Sequence, residues 1–161
     1  MGKRSVKANK NIWQQAREAV SLTREQAAEK MVFVTDDRIE KIENGRSQPH
    51  PDEVVAMASC YNEPGLMNRF CVEQCPIGAL TQQPIPEKDL PRIALELLKE
   101  LTALNGERDR LIEIASDGRV NPNEREDFAR IRERLSRVSL LSGSLQIWMD
   151  KTAMGFATKE E

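Results

Sequence analysis

The feature that most constrains this chain is a pair of short helices, punctuated at both ends, between Thr23 and Gly45. Thr23-Arg24-Glu25-Gln26 is a capping box, in which the threonine hydroxyl and the glutamine side chain satisfy the free N–H groups of a helix start. Ala27, Ala28 and Met31 form the inner face of that helix. Thr35 opens the next one, with Asp36 and Asp37 in the first turn, where the helix dipole favours acids. Ile39 and Ile42 are its buried pair, and Asn44-Gly45 is a strong stop. Between the two helices lies Met31-Val32-Phe33-Val34, apolar and β-branched, a poor continuation of a helix.

The flanking sequence repeats this pattern. Asn11 caps a first helix, with Gln14 three residues on, and Ile12, Gln15, Ala16, Ala19 and Val20 give it a narrow stripe. Ser21-Leu22 breaks it. After the extended Gln48-Pro49-His50, Pro51 opens a fourth helix carrying Val54, Val55, Met57, Ala58 and Tyr61. Asn62-Glu63-Pro64-Gly65 ends it, a fifth short helix covers Leu66 to about Gln74, and Pro76 and Gly78 close the unit. Residues 1–10 read as a flexible basic arm and residues 11–78 as a five-helix domain. The charge is uneven. Residues 1–50 carry ten Lys/Arg against seven Asp/Glu, and residues 51–161 carry 14 against 19, for a net charge of −2 overall. The first third is therefore the part suited to approach phosphate.

From residue 79 the chain changes character. Residues 79–88, with Pro84 and Pro86, read as a stiff linker. Leu90, Ala94, Leu97, Leu101, Leu104, Leu111 and Ala115 then fall on a 4-3 spacing interrupted at Arg108. Phe128, Ile131, Leu135, Val138, Leu145 and Met149 form a matching run. The two flank the turn-rich Asp117-Gly118-Arg119-Val120-Asn121-Pro122. Residues 89–151 are thus predicted to be an antiparallel hairpin of two helices of about 25 residues each, and residues 152–161 a frayed tail. Ile93, Leu98, Ile112, Leu140, Leu141 and Trp148 lie partly off the seam and call for another partner, most simply a second copy. Leu97, Leu101, Leu104, Leu135, Val138 and Leu145 are the candidate dimerisation residues.

Leu22 to Lys30 together with Thr35 to Arg46, ending Ile42-Glu43-Asn44-Gly45-Arg46 shortly before Pro49, resembles the lambda-repressor-like (Xre/Cro-type) helix-turn-helix family. The resemblance covers roughly a third of the chain. It implies an all-α domain that binds double-stranded DNA, with Asp36, Asp37 and Lys41 facing base edges and Arg24, Arg38, Asn44 and Arg46 holding phosphates. Lysine suits guanine O6/N7, and aspartate accepts from cytosine N4. The segment 31–34 departs from the family form, being one residue longer and lacking its glycine, which would tilt the third helix against the second. Competing readings make Asp36 and Asp37 ordinary first-turn acids and Lys41 a solvated charge, with Glu43 bonding backbone or arginine. Lys3, Arg4, Lys7 and Lys10 either track a groove or have no role.

Other constellations carry less. Cys71 and Cys75, at i, i+4, read as sharing a helix face. With Cys60 and the single His50 they fall short of a structural zinc set, so free, partly buried thiols are expected over redox or metal roles. The tail Cys71-x-x-x-Cys75-Pro76-Ile77-Gly78 also resembles a recurring ending of some bacterial regulators of this type. Asp117 to Glu124 mimics the second half of a calcium loop, but its first half would need a ligand at Ala115. Trp13 and Trp148 read as packing anchors. No nucleophile–base pair or phosphate loop is present, so no enzyme and no cofactor or metal are expected. There is no apolar run of the length a membrane span requires, and three cysteines without an export signal fit the cytoplasm. The reading is a sequence-specific transcriptional regulator of bacterial or phage type, acting as a homodimer on a two-fold operator. The alternative is a degenerate helix-turn-helix that binds a protein partner, as in an antitoxin or anti-activator. A third possibility is an effector-sensing regulator, although nothing in the sequence identifies the effector.

Overall fold

The computed structural model describes residues 10–157, with side chains through Ala153. The described residues divide into two compact units. The first runs to Pro84 and takes in the chain from Asp150 onward; the second is Ile85–Met149. Among the described residues all regular structure is helical. Lys3, Arg4 and Lys7 of the expected arm lie outside the described residues.

The first unit contains α1 (Ile12–Ala19), α2 (Arg24–Met31), α3 (Asp36–Glu43), α4 (Pro51–Cys60), α5 (Gly65–Glu73) and α6 (Pro76–Thr81). The starts of α1 to α4 are chemically marked. The Asn11, Thr23 and Thr35 side chains accept from the backbone N–H three residues ahead, and Gln26 closes the capping box on Thr23. At α4, Pro51 occupies the first turn and Glu53 reaches back to accept the His50 N–H at 2.7 Å. The α3 stop works through Gly45, whose φ of +69° only glycine adopts without strain. Trp13, Ala27, Met31, Val34, Ile39, Ile42, Val54, Met57, Ala58, Tyr61 and Leu66 form one core from α1 to α5.

Three features differ from the sequence expectation. On α1 the buried face is Trp13, Gln14, Ala16 and Arg17, while Ala19 and Val20 face solvent. A sixth helix follows where Pro76 and Gly78 were read as the end. α5 stops at Glu73 and Cys75 caps α6, so Cys71 and Cys75 do not share a helix. Gly78 is the residue that lets α6 pack: a Cβ there would lie 2.1 Å from the Cys71 carbonyl oxygen. The three thiols are free and half-buried, and burial pushes that of Cys60 up.

The turn between α2 and α3 takes an unusual form. Val32 has φ +65° and ψ −47°, and the Phe33 N–H donates to the Met31 carbonyl at 2.7 Å. This is the rare positive-φ γ-turn. At a β-branched residue such a conformation costs about 1–3 kcal/mol. It absorbs the extra residue of the segment, turning Val32 and Phe33 outward (90% and 59% exposed) and returning Val34 to the core at 1%.

The second unit contains α7 (Leu90–Gly106), α8 (Arg108–Ala115) and the α9 residues up to Met149; α9 itself spans Arg125–Ala157. The first arm of the expected hairpin is therefore two helices, broken at Glu107 beside the interruption read at Arg108. The second arm is a single long helix that continues through residues 152–157, where a frayed tail was expected. Ion pairs cross the hairpin in antiparallel order: Glu100 with Arg134 and Arg137, Glu107 with Arg130, and Arg110 with Asp127. In the turn, the Asp117 and Glu124 carboxylates accept from the Arg119 and Asn121 backbone N–H groups and act as caps. Ile93, Ile114, Ile131 and Leu141 form the buried seam. Ile93 and Leu141, read as off-seam, are thus inside. Leu101 and Leu135, read as on it, are exposed, as are Leu95, Leu98 and Ile112.

Candidate nucleic-acid interface

α3 is held in place from two sides. From α1, Arg17 donates through Nε and Nη2 to the two Glu43 carboxylate oxygens at 2.6 and 2.9 Å, and through Nη1 to the Leu22 carbonyl at 2.6 Å. Both side chains of this pair are buried. Burial alone would lower the arginine pKa, but the Glu43 hydrogen bond and charge outweigh it and raise it. Arg24, on the first turn of α2, adds a bond to the same carboxylate at 2.9 Å. The Asn11 amide donates to the Ile42 carbonyl at 2.8 Å. Glu43 is therefore structural, and it binds α1, α2 and α3 at one point.

On the other side, Arg38 ties α3 to α4. Its Nε and Nη2 donate to Glu53 at 2.7 and 2.8 Å, Nη1 donates to the Ser47 hydroxyl at 2.6 Å, and Nη2 also reaches the Gln48 carbonyl. The hydrogen bond from Arg38 holds the Glu53 carboxyl below the usual carboxylate range. Four bonds inside the chain leave Arg38 little free capacity for a phosphate.

What remains outward on α3 is Asp36, Asp37 and Lys41, all exposed, with Ile39 and Ile42 turned into the core. Lys41 donates to Asp37 at 2.6 Å one turn back, an exposed pair that opens at little cost. Asn44 caps the helix, its backbone N–H donating to the Glu40 and Ile42 carbonyls and its side chain to Glu40. Arg46 is exposed just beyond the Gly45 turn. Lys10 pairs with Glu18, whose carboxyl that bond lowers. Arg17, Asn11 and Glu53 were missed as site-forming residues. Trp13, Ala16 and Arg17 share one face at i, i+3, i+4, and that spacing was the signal that would have placed Arg17 inward.

Two short helices joined by a tight turn, the second braced by the first and presenting a polar outer face, define a helix-turn-helix. Residues 14–69, from α1 into α5, match a protein-family model described as Helix-turn-helix domain. The match agrees with the lambda-repressor-like resemblance of residues 22–46. Neither the curated proteins nor the solved structures yield a match. Among the described residues no helix is long and apolar enough to cross a membrane.

Proposed function

We propose that this chain is a sequence-specific DNA-binding transcriptional regulator in which α3 lies along the major groove. The observation that carries the reading is the division of α3 into a fully buried isoleucine pair and an uncovered face of Asp36, Asp37 and Lys41, beside an exposed Arg46. A helix held by its predecessor and free on its outer side is what groove binding requires. In this reading Asp36, Asp37 and Lys41 face base edges. Arg24, Asn44 and Arg46 hold phosphates, aided by the α2 N-terminus. Arg38 fits a positioning role better than the phosphate contact expected of it, because Glu53, Ser47 and Gln48 already occupy it. The exposed Leu95, Leu98, Leu101, Ile112 and Leu135 support a homodimer through the hairpin, and a dimer implies a two-fold operator with half-sites about one helical turn apart.

Selection of bound fragments from random duplex DNA by the purified protein tests this directly. Lys41→Ala is expected to relax discrimination at one base position by about 1–3 kcal/mol, whereas Arg24→Ala weakens binding to all duplexes and lowers the salt slope by about one. If both variants bind as the parent does, the reading fails. The alternative, a helix-turn-helix scaffold for a protein partner, is favoured by one observation: Lys41 is paired to Asp37 beside Asp36, which leaves the outer face acidic. Enrichment of no duplex in the selection would support it.

A further inference from the structure

Packing explains why the α2–α3 turn returns Val34 to the core, but not why Val32 and Phe33 are the residues left outside it. A soluble domain gains nothing by exposing a valine and a phenylalanine side by side, and here they are exposed by a backbone conformation unfavourable to valine. Phe33 is two residues ahead of the Thr35 cap, at the end of α3 that carries Asp36 and Asp37. When such a helix docks, its N-terminal residues meet base edges, so the turn before it arrives at the same depth. Two carboxylates at this end repel the phosphate backbone, which leaves the bases as the available contact. The apolar group that bases present in the major groove is the thymine C5 methyl.

We propose that Val32 and Phe33 form an apolar wedge, pushed out by the γ-turn at Val32, that reads a thymine methyl group at the edge of the site recognised by α3. This rests on the DNA-binding reading above and adds a specificity element that hydrogen-bonding residues do not supply. Discrimination then comes from burial of a methyl group against an aromatic ring, which is insensitive to salt, unlike the phosphate contacts.

The test uses the full chain and a duplex enriched by selection, prepared with thymine and again with uracil at each candidate position. The two differ by the methyl group alone. The parent protein is expected to bind the uracil duplex about fourfold more weakly at one position, the effect of one buried methyl group. Phe33→Ala is expected to bind the two duplexes equally, and Phe33→Leu to keep part of the difference. Circular dichroism melts confirm that each variant is folded, as expected of a substitution at an exposed turn. Specific binding by a parent protein indifferent to the methyl group overturns the wedge alone and leaves the pair as a patch for a protein partner. Full discrimination retained by Phe33→Ala also overturns it. If no duplex is enriched, the DNA-binding reading and the wedge fall together.

Discussion

At the residue scale, Val32 and Arg38 show opposite uses of side-chain chemistry. Val32 is strained in place. Val32→Gly relieves a positive φ that costs about 1–3 kcal/mol, against about 0.5–1 kcal/mol for the extra freedom of glycine in the unfolded chain. A net stabilisation of about 1 kcal/mol is expected, read from the midpoint of urea unfolding. An unchanged or lower midpoint would show that the turn is not strained. Arg38 is the reverse, a residue on the helix exterior whose donors are turned back onto the chain. Arg38→Ala strands the Glu53 carboxylate and is expected to destabilise the domain by about 2–4 kcal/mol. A loss under 1 kcal/mol would mean that the α3–α4 tie is weak.

At the element scale, the pH response follows from the carboxylates that hold helices together. Hydrogen bonds from Arg38 to Glu53, from Arg130 to Glu107 and from Arg110 to Asp127 depress all three acids. A depressed carboxylate contributes stability that is present above its unfolded pKa and is lost as pH falls through the folded value. Thermal midpoints are therefore expected to hold from neutral pH down to about 5 and to drop below about 4.5. Glu53→Gln should lower the neutral midpoint and flatten that drop; an equally steep drop would place the acid sensitivity elsewhere. At the junction of α5 and α6, Gly78→Ala forces a Cβ against the Cys71 carbonyl and is expected to cost about 1–3 kcal/mol by denaturant titration. The caps at Asn11, Thr23, Thr35 and Gly45 were legible in sequence because capping is local, set by a residue and its neighbour three positions on. The α1 face, the sixth helix and the γ-turn were not. The spacing of Trp13, Ala16 and Arg17 marks that face but not the Glu43 carboxylate, 26 residues on, that makes a buried arginine tolerable, and Gly78 is required because of Cys71, a partner that local spacing does not reveal.

At the scale of the whole molecule, the all-helical class was legible from periodicity, whereas the choice of which hairpin face lies inside was not. Periodic apolar residues occupy more than one face of α7 and α9, so spacing alone does not say whether Ile93 or Leu101 is buried. The crossing ion pairs Glu100–Arg134, Glu107–Arg130 and Arg110–Asp127 are made in the register that buries Ile93, Ile114, Ile131 and Leu141. The consequence for assembly is measurable. Leu101→Glu with Leu135→Glu is expected to convert the proposed dimer to a monomer by light scattering without loss of helicity, since both side chains are exposed within one chain. A parent protein that is monomeric at micromolar concentration would remove the hairpin as the dimer contact.

The Glu43 carboxylate has a spare partner. Arg17 alone bonds both of its oxygens, so the buried acid keeps a charged partner when Arg24 turns away. Redundancy of this kind separates recognition from folding. The arginine proposed to reach the phosphates is the outer of the two, so its replacement removes the α2 tie but leaves Arg17 on both Glu43 oxygens, whereas loss of Arg17 strips the buried acid of its inner partner.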